Sequence, residues 1–209
     1  MTDESAPKRS YHHGNLVEEL VAAAVALVEE KGLAAVSVRE VARRAGVSPA
    51  APFRHFASKT ALMTAVAEQA MQRLTAAVTT ELVAVDEADP LARLRAMGRA
   101  YVDWVVANPT HFQIISSRSE IDFDASRLLV EQNEALRQTM IRLLGQAQAQ
   151  GQLRPGLDLD DLVLTTRALT YGVARLWVDQ HFPQWQVARP PAEAMFRMIE
   201  LHLAAISAD

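Results

Sequence analysis

Positively charged side chains are concentrated in one short stretch of the chain, and their chemistry suits the binding of phosphate groups. Residues 31–62 contain six cationic side chains and only one carboxylate, that of Glu40. These cations are Lys31, Arg39, Arg43, Arg44, Arg54 and Lys59. From residue 63 onward 13 arginines are outnumbered by 18 acidic residues, and the whole chain carries a formal net charge of −4. A basic segment within an acidic chain is the electrostatic pattern expected of a surface that contacts nucleic acid.

The basic stretch contains the signals of a short helix. The hydroxyl of Ser37 can cap the first turn, and Glu40 three residues later completes a capping box. Gly46 then ends the helix, because glycine readily adopts the left-handed conformation that closes many helices. We therefore predict a helix over about residues 38–45.

A second helix start follows directly. Ser48 supplies a new cap, and Pro49 occupies the first helical position, where its missing N–H is not needed. This pattern predicts a very short helix through about Phe56, with a first turn distorted by Pro52. Two short helices joined by a turn around Gly46 form helix-turn-helix geometry. In such a unit the second helix presents its N-terminal residues to base edges in the major groove.

Apolar residues recur at three-to-four spacing along almost the whole chain, and alternating β-branched runs are absent, which predicts an all-α protein. About nine helices are expected. They cover approximately residues 15–31, 38–45, 49–56, 58–85, 90–107, 109–118, 124–150, 158–181 and 190–206. We predict an N-terminal arm and three-helix domain containing the helix-turn-helix (1–57), a connecting helix (58–85) and a larger helical domain (86–209).

Composition disfavours several classes of protein. The chain has no cysteine, which excludes disulfides and thiolate metal sites. No segment approaches eighteen uncharged apolar residues and no apolar core follows the N-terminus, so we expect a cytoplasmic protein that does not span a membrane. The common hydrolase, metalloprotease and phosphate-loop motifs are absent, so neither enzymatic activity nor a cofactor is expected. The adjacent His12 and His13 lack a third ligand at suitable spacing, so no metal site is expected.

The stretch from Tyr11 to about Leu74 resembles the TetR family, the tetracycline-repressor-like regulators. The resemblance is carried by the segments 11–16 (YHHGNL), 38–48 (VREVARRAGVS) and 52–56 (PFRHF), followed by Lys59 and Leu62. Beyond Leu74 the resemblance is looser. Residues 101–117 are similar to the branch of the family whose C-terminal domain is named for a Trp, His and Gly motif, although Arg167 and Tyr171 replace the first two of those residues.

The resemblance implies a set of DNA-contacting residues around the helix-turn-helix. These are Ser37, Arg39, Ser48, Pro49, Ala50, Phe53, Arg54, His55 and Lys59. Arg39 and Arg54 would carry most of the specificity, since an arginine bidentate to guanine contributes about 1–3 kcal/mol of discrimination. Phe53 stands where the family usually has a tyrosine, so one phosphate hydrogen bond is expected to be missing.

Some of these side chains have a structural alternative. Phe53 and Phe56 can equally serve as core aromatics of the small domain, and for Phe56 the core is the favoured reading. Arg43 and Arg44 are expected on a solvated face rather than against DNA.

The resemblance also implies that two C-terminal helices from each protomer form a four-helix dimer interface. The candidate interface residues are Leu164, Ala168, Tyr171, Gly172, Arg175 and Leu176, with packing inside one chain as the alternative. Two-fold symmetry would place the recognition helices about 34–36 Å apart over a near-palindromic operator.

The resemblance implies that residues 86–209 form an effector-binding and dimerisation domain, with an effector pocket among the middle helices. Its candidate lining residues are Met97, Tyr101, Trp104, Phe112, Ile115, Arg118, Phe123 and Met140, most of which can also be plain core. An aromatic and Met-rich interior favours a hydrophobic or aromatic ligand, whereas an inward-pointing Arg118 would favour an anion. The resemblance implies a regulator, usually a repressor, whose operator affinity changes on ligand binding. The alternative is a helical ligand- or protein-binding module that does not bind an operator.

Overall fold

A computed structural model describes residues 16–208 of the chain. Within this range it contains eight α-helices and no strand, apart from one isolated bridge between Leu153 and Ser207, which confirms the all-α prediction. The helices are α1 (Leu16–Lys31), α2 (Val38–Arg44), α3 (Lys59–Val83), α4 (Pro90–Ala107), α5 (Pro109–Ser116), α6 (Arg127–Ala149), α7 (Leu159–Val178) and α8 (Pro191–Ile206). His12, His13 and the start of the family-like segment lie outside the described residues.

The chain divides into two compact units, a small unit that ends at Met63 and a large unit that begins at Thr64. Helix α3 starts in the small unit and continues into the large one. None of the helices in the described range combines the length and the apolarity that a membrane span requires.

The small unit is built on the packing of α1 against α2. One face of α1 is apolar and buried, with Leu20 and Ala24 completely inaccessible to solvent. Val41 and Ala42 of α2 are equally inaccessible, and the small alanine allows close approach of the neighbouring helix. Ser37 caps α2 as predicted, since its hydroxyl oxygen accepts a 3.3 Å hydrogen bond from the Glu40 N–H.

The segment after α2 is shorter and more tightly wound than the helix predicted for it. Turns occupy residues 48–51, and a 3₁₀ helix covers Pro52–Arg54. The Ala51 N–H donates to the Ser48 carbonyl at 3.0 Å and the His55 N–H donates to the Pro52 carbonyl at 2.9 Å, both with the three-residue spacing of a 3₁₀ helix. Because Pro52 has no N–H, it cannot supply the α-helical bond to Ser48.

In the large unit, α4 packs against α6 and α8, and α7 packs against the same two helices. The core between them contains side chains that are completely inaccessible to solvent. They include Val105, Leu143, Leu144, Ala174 and Met195. The large unit therefore supplies a bundle in which α4, α6, α7 and α8 can enclose a cavity.

Two helix boundaries of the large unit differ from the prediction for local reasons. Helix α6 begins at Arg127 rather than near 124, because the hydroxyl oxygen of Ser126 caps it by accepting from the Leu129 N–H at 3.2 Å. Helix α7 ends at Val178 rather than near 181. Gln180 adopts a left-handed conformation with φ of 63°, and the His181 N–H closes the end on the Leu176 carbonyl at 2.8 Å.

Ion pairs join the two helices of the small unit across their exposed faces. The Glu40 carboxylate accepts hydrogen bonds from Arg43 and, on α1, from Lys31, at N–O distances of 2.7–3.0 Å. Arg44 forms a bidentate pair with Glu30, with both N–O distances at 2.6 Å. The bonds from Arg43 and then Lys31 lower the pKa of Glu40 from 4.5 to about 2.

We expect Gly46→Ala to destabilise the small unit by about 1–2 kcal/mol. Gly46 has a φ of 71°, and nothing lies within 4 Å of an added Cβ, so the unfavourable backbone conformation alone sets the cost. Urea unfolding followed by circular dichroism measures the change. The control is Gly145→Ala within α6, whose added Cβ meets Leu159 at an ordinary 3.7 Å and should stabilise the helix by about 0.5–1 kcal/mol. Equal stability of Gly46→Ala and the unmodified protein would contradict the expectation.

We expect Glu40→Gln to reduce stability near pH 7 but not near pH 2. A carboxylate whose pKa is lowered on folding stabilises the folded state above its ordinary pKa, here 4.5, and this contribution is lost as the pH falls towards about 2. Because the pair is exposed, the effect is small. Thermal unfolding across this pH range tests it, with Arg39→Gln as the control that removes a charge from the same helix but not from this pair. A difference between Glu40→Gln and the unmodified protein that persists at pH 2 would rule out this linkage.

Candidate nucleic-acid interface and ligand cavity

The residues predicted to contact DNA lie on the surface of the small unit. Eight of the nine are exposed and Lys59 is half-buried. The exposed ones are Ser37, Arg39, Ser48, Pro49, Ala50, Phe53, Arg54 and His55. The two aromatic residues separate clearly, since 53% of Phe53 is accessible whereas Phe56 is buried at 6%, which confirms the core placement of Phe56. Residues 48–50 and 53–55 therefore face solvent, whereas Pro52 and Phe56 anchor the segment in the core.

Charge pairing divides the arginines of the small unit into two groups. Arg43 and Arg44 are held by the glutamates of α1 and α2. Arg39 and Arg54, by contrast, form no ion pair with any residue in the described part of the chain. Lys59 directs its ammonium group to the Leu33 carbonyl at 3.1 Å. Among the described arginines of the small unit, Arg39 and Arg54 are thus those that can bind an external anion without first breaking a salt bridge.

A cavity of about 600 Å³ lies within the large unit. Seven of the eight residues predicted to line an effector pocket line it. They are Met97, Tyr101, Phe112, Ile115, Arg118, Phe123 and Met140. The prediction was wrong for Trp104. Its side chain is buried one helical turn beyond Tyr101 on α4 and does not line the cavity.

Aromatic rings from three helices meet at one side of the cavity. Tyr101 of α4 contacts Phe112 of α5 edge to face, with 6.2 Å between ring centroids. Phe112 in turn lies 5.9 Å from the ring of Tyr171 on α7. Burial raises the pKa of Tyr101, and the positive charge of Arg167 opposes part of this rise. The Tyr101 hydroxyl therefore remains protonated and available as a donor near neutral pH.

Several polar lining residues were missed by sequence reasoning. Arg167, Thr166 and Thr170 of α7 face the cavity, as do Asn133 and Arg137 of α6. Arg167 lies four residues before Tyr171, a spacing that places both on one side of a helix, so the periodicity of α7 could have identified it. Arg118 does face inward, with its guanidinium carbon 3.4 Å from the centroid of the Phe123 ring.

The residues predicted for a dimer interface separate into two sets. Leu164, Ala168, Gly172 and Leu176 recur at four-residue spacing along α7, and 69% of Leu164 and 44% of Leu176 are accessible. Leu164 and Ala168 also border the cavity. On α8, 51% of the Leu201 side chain is accessible as well. These exposed apolar residues keep their place as interface candidates.

Tyr171 and Arg175, also predicted for the interface, have contacts inside the chain. Tyr171 lines the cavity against Phe112. The Arg175 guanidinium donates to the Ser116 hydroxyl at 2.9 Å and to both carboxylate oxygens of Asp179 at 2.8 Å. Both residues are partly accessible to solvent and remain interface candidates.

A groove of about 1220 Å³ runs beside the exposed side of α7. It is bounded by Ala168, Gly172 and Leu176, by residues 185–190 of the following loop, and by the start of α8. Trp185 in this loop has 76% of its surface accessible. Sequence reasoning missed this loop, although a large aromatic residue between two prolines was a visible signal.

Two family models match the chain. One, described as bacterial regulatory proteins of the tetR family, matches residues 20–66 and contains the helix-turn-helix surface. The other, described as a tetracyclin repressor-like C-terminal domain, matches residues 94–202 and contains most of the cavity lining. The second match alone spans more than half of the chain.

Named relatives are regulators. The chain is 40% identical over 79 residues to the HTH-type transcriptional regulator BetI of Ectopseudomonas mendocina, a match over 38% of this chain and 40% of that protein. It is 28% identical over 146 residues to the HTH-type transcriptional repressor KstR2 of Mycobacterium tuberculosis, a match over 68% of this chain and 71% of the relative. The chain thus spans less than half of BetI but more than two thirds of KstR2.

Solved structures share the fold over nearly the full chain. A protein of unknown function from Rhodococcus sp. RHA1 superimposes with a TM-score of 0.76 and 29% identity, covering 96% of this chain and all of that one. The ketosteroid transcriptional regulator KstR2 of Mycobacterium tuberculosis superimposes with a TM-score of 0.71 and 20% identity, covering 97% of this chain and all of the other. At 20% identity, the second comparison establishes the shared fold only.

Proposed function

Because the chain belongs to the TetR family of bacterial regulatory proteins, we propose that it is a transcriptional regulator that binds operator DNA as a homodimer and responds to a small molecule. The observation that carries the proposal is the exposed surface headed by Ser48, flanked by the unpaired Arg39 and Arg54. The relatives are named as regulators, so the chain is assigned no enzymatic activity.

The DNA contacts divide into those that read sequence and those that position the protein. Arg39 and Arg54 would bind base edges, with guanine as the preferred partner of a bidentate guanidinium. Pro49 and Ala50 would contact thymine methyl groups. The remaining contacts, to phosphates, would come from Ser37, Ser48, His55 and Lys59. Phe53 would add apolar contact but no hydrogen bond to phosphate.

Homodimerisation is supported by apolar side chains that are exposed to solvent in the single chain. Leu164 and Leu176 of α7 and Met198 and Leu201 of α8 each expose more than a third of their surface. Clustered exposed apolar side chains mark association surfaces in soluble proteins. A second copy related by two-fold symmetry would cover them with the same two helices and would require a near-palindromic operator, with recognition segments about 34–36 Å apart.

Ligand response is supported by the cavity. Its volume of about 600 Å³ lies within the range of small-molecule sites, and its lining is predominantly apolar with a few polar groups. A ligand that binds more tightly to a conformer with weak DNA affinity lowers operator occupancy by the difference in its binding energies. We therefore assign Met97, Tyr101, Phe112, Ile115, Arg118, Phe123 and Met140 to the effector site.

We expect Arg39→Ala to weaken binding to a selected operator about tenfold or more, and binding to random duplex DNA much less, because a lost base contact affects only the specific complex. The operator is obtained by genomic footprinting, and fluorescence anisotropy measures affinity at several salt concentrations. The control is Arg43→Ala, which removes an arginine already paired with Glu40.

Equal losses on both DNAs would assign Arg39 to the phosphate backbone. Absent or salt-insensitive DNA binding by the unmodified protein would overturn the regulator and favour the alternative, a helical binding module without an operator.

We expect Leu176→Glu to convert the dimer into a monomer and to abolish tight operator binding, because a buried, unpaired carboxylate at the interface is unfavourable. Size-exclusion chromatography with light scattering measures the mass. Val130→Glu on α6 is the matched control, since 42% of Val130 and 44% of Leu176 are accessible. A Leu176→Glu protein that remains a dimer would place the interface elsewhere.

A further inference from the structure

One polar atom of the cavity lining stands out because it is buried without a partner. The hydroxyl oxygen of Tyr101 is fully buried and forms no hydrogen bond with any described residue. Other polar lining groups are satisfied: the Thr166 hydroxyl lies 2.9 Å from Nε2 of His202, and the Thr170 hydroxyl donates to the Thr166 carbonyl at 2.7 Å. An unsatisfied buried donor is costly, so a ligand atom that accepts from Tyr101 would recover that free energy.

The group beside this hydroxyl is a cation. Arg167 of α7 lines the same cavity, with its guanidinium carbon 5.0 Å from the centroid of the Tyr171 ring. It lies close enough to Tyr101 that its charge, and then a side-chain hydrogen-bond contact, oppose the rise of that tyrosine's pKa, although the pair falls short of full hydrogen-bond geometry. A phenolic donor and a guanidinium group thus converge on one side of the cavity.

The other charges of the lining do not neutralise Arg167. Arg137 is engaged by Glu134 through two hydrogen bonds of 2.8 Å, and it also senses the charge of Asp160. Asp160 lies seven residues before Arg167 on α7, about 10 Å along the helix axis. Arg118 faces the cavity against Phe123. Within the described residues, neither Arg118 nor Arg167 forms an ion pair.

Most of the remaining lining is apolar, with Ser116 and Asn133 as further polar members. The apolar residues include Met71, Leu74, Leu94, Met97, Met140 and Leu203. Flexible methionine side chains adapt to irregular apolar shapes. The cavity therefore combines a large apolar volume with one unsatisfied buried donor and, at its border, two solvent-exposed arginines that form no ion pair with a described residue.

We propose that the effector is an apolar molecule with a single oxyanion, a carboxylate or a phosphate, which accepts hydrogen bonds from the Tyr101 hydroxyl and the Arg167 guanidinium. This inference rests on the proposed function, in which the cavity is the effector site. An oxyanion accepts from both groups at once, and charge-assisted hydrogen bonds of this kind are the strong ones. A cationic head group would face two uncompensated arginines, and a neutral hydroxyl would leave their charge unmatched.

The test is isothermal titration calorimetry of the full chain with four probes that share a dodecyl chain, each below its micelle concentration. Dodecanoate and dodecyl phosphate carry the anion, whereas dodecanol is neutral and dodecylammonium is cationic. At least one anion should bind about tenfold or more tightly than dodecanol, with dodecylammonium weakest. The stronger of the two anions identifies the oxyanion.

Variants locate the anion within the cavity. Tyr101→Phe keeps the ring against Phe112 and removes only the hydroxyl, and Arg167→Gln removes the charge from a solvent-exposed residue. Each should weaken the anion about tenfold. Dodecanol affinity should be unchanged in Arg167→Gln and should fall less than anion affinity in Tyr101→Phe, because an alcohol oxygen accepts only a neutral hydrogen bond from the phenol. Arg137→Gln is the control, since this lining arginine is already neutralised by Glu134. Retained dodecanol binding also reports that each variant keeps a folded cavity.

Three outcomes overturn the inference: dodecanol binding as tightly as both anions, dodecylammonium binding most tightly, or no probe binding at all. Loss of anion affinity in Arg137→Gln equal to that in Arg167→Gln would also overturn it. Failure of the proposed function is seen separately, because operator binding by anisotropy is measured without any probe. Salt-sensitive operator binding combined with equal affinity for dodecanol and the anions would preserve the regulator and reject the anionic ligand.

Discussion

Helix α7 presents two surfaces at once, and the large unit is organised around this constraint. At about 100° per residue, one arc of the helix turns Val163, Arg167 and Thr170 to the cavity, and the adjoining arc turns Leu169 and Leu176 to the groove. Ala168 borders both. A ligand in the cavity and a second copy on the exposed face would therefore act on the same helix. Ligand binding and dimer contacts could therefore be coupled directly through α7, without a longer chain of intervening residues.

Among the described residues of each unit, glutamates pair with some arginines and leave others without an ion pair. In the small unit, two glutamates hold Arg43 and Arg44 on the surface, and Arg39 and Arg54 are left to face an external anion. In the large unit, Glu134 neutralises Arg137 and leaves Arg167 uncompensated. Exposed ion pairs contribute little to stability. Their larger consequence here is to decide which guanidinium groups remain available to a ligand or to DNA.

Most of the fold was predictable because its signals are local. Ser37 and Glu40 mark the start of α2, and the apolar periodicity of α1 identifies its buried face. The helical type of the segment after Gly46 was harder to predict, because Pro52 removes one α-helical bond but does not dictate the turn that replaces it. The sequence could not predict whether Arg118 points towards the cavity. This residue follows the end of α5, where helical periodicity no longer fixes the direction of a side chain.

The sequence by itself determined the helical class, the Ser37 cap of α2 and the basic surface, because these depend on neighbours within about four residues along the chain. The cap predicted at Ser48 did not form, since the helix after it begins at Pro52 without a side-chain cap. The tertiary structure alone decided which side chains meet. It placed Trp104 outside the cavity, joined Arg175 to Ser116 on α5, and left the Tyr101 hydroxyl buried without a partner. These outcomes depend on helices that are distant in sequence. Periodicity defines the face of a helix but not which neighbour that face will pack against.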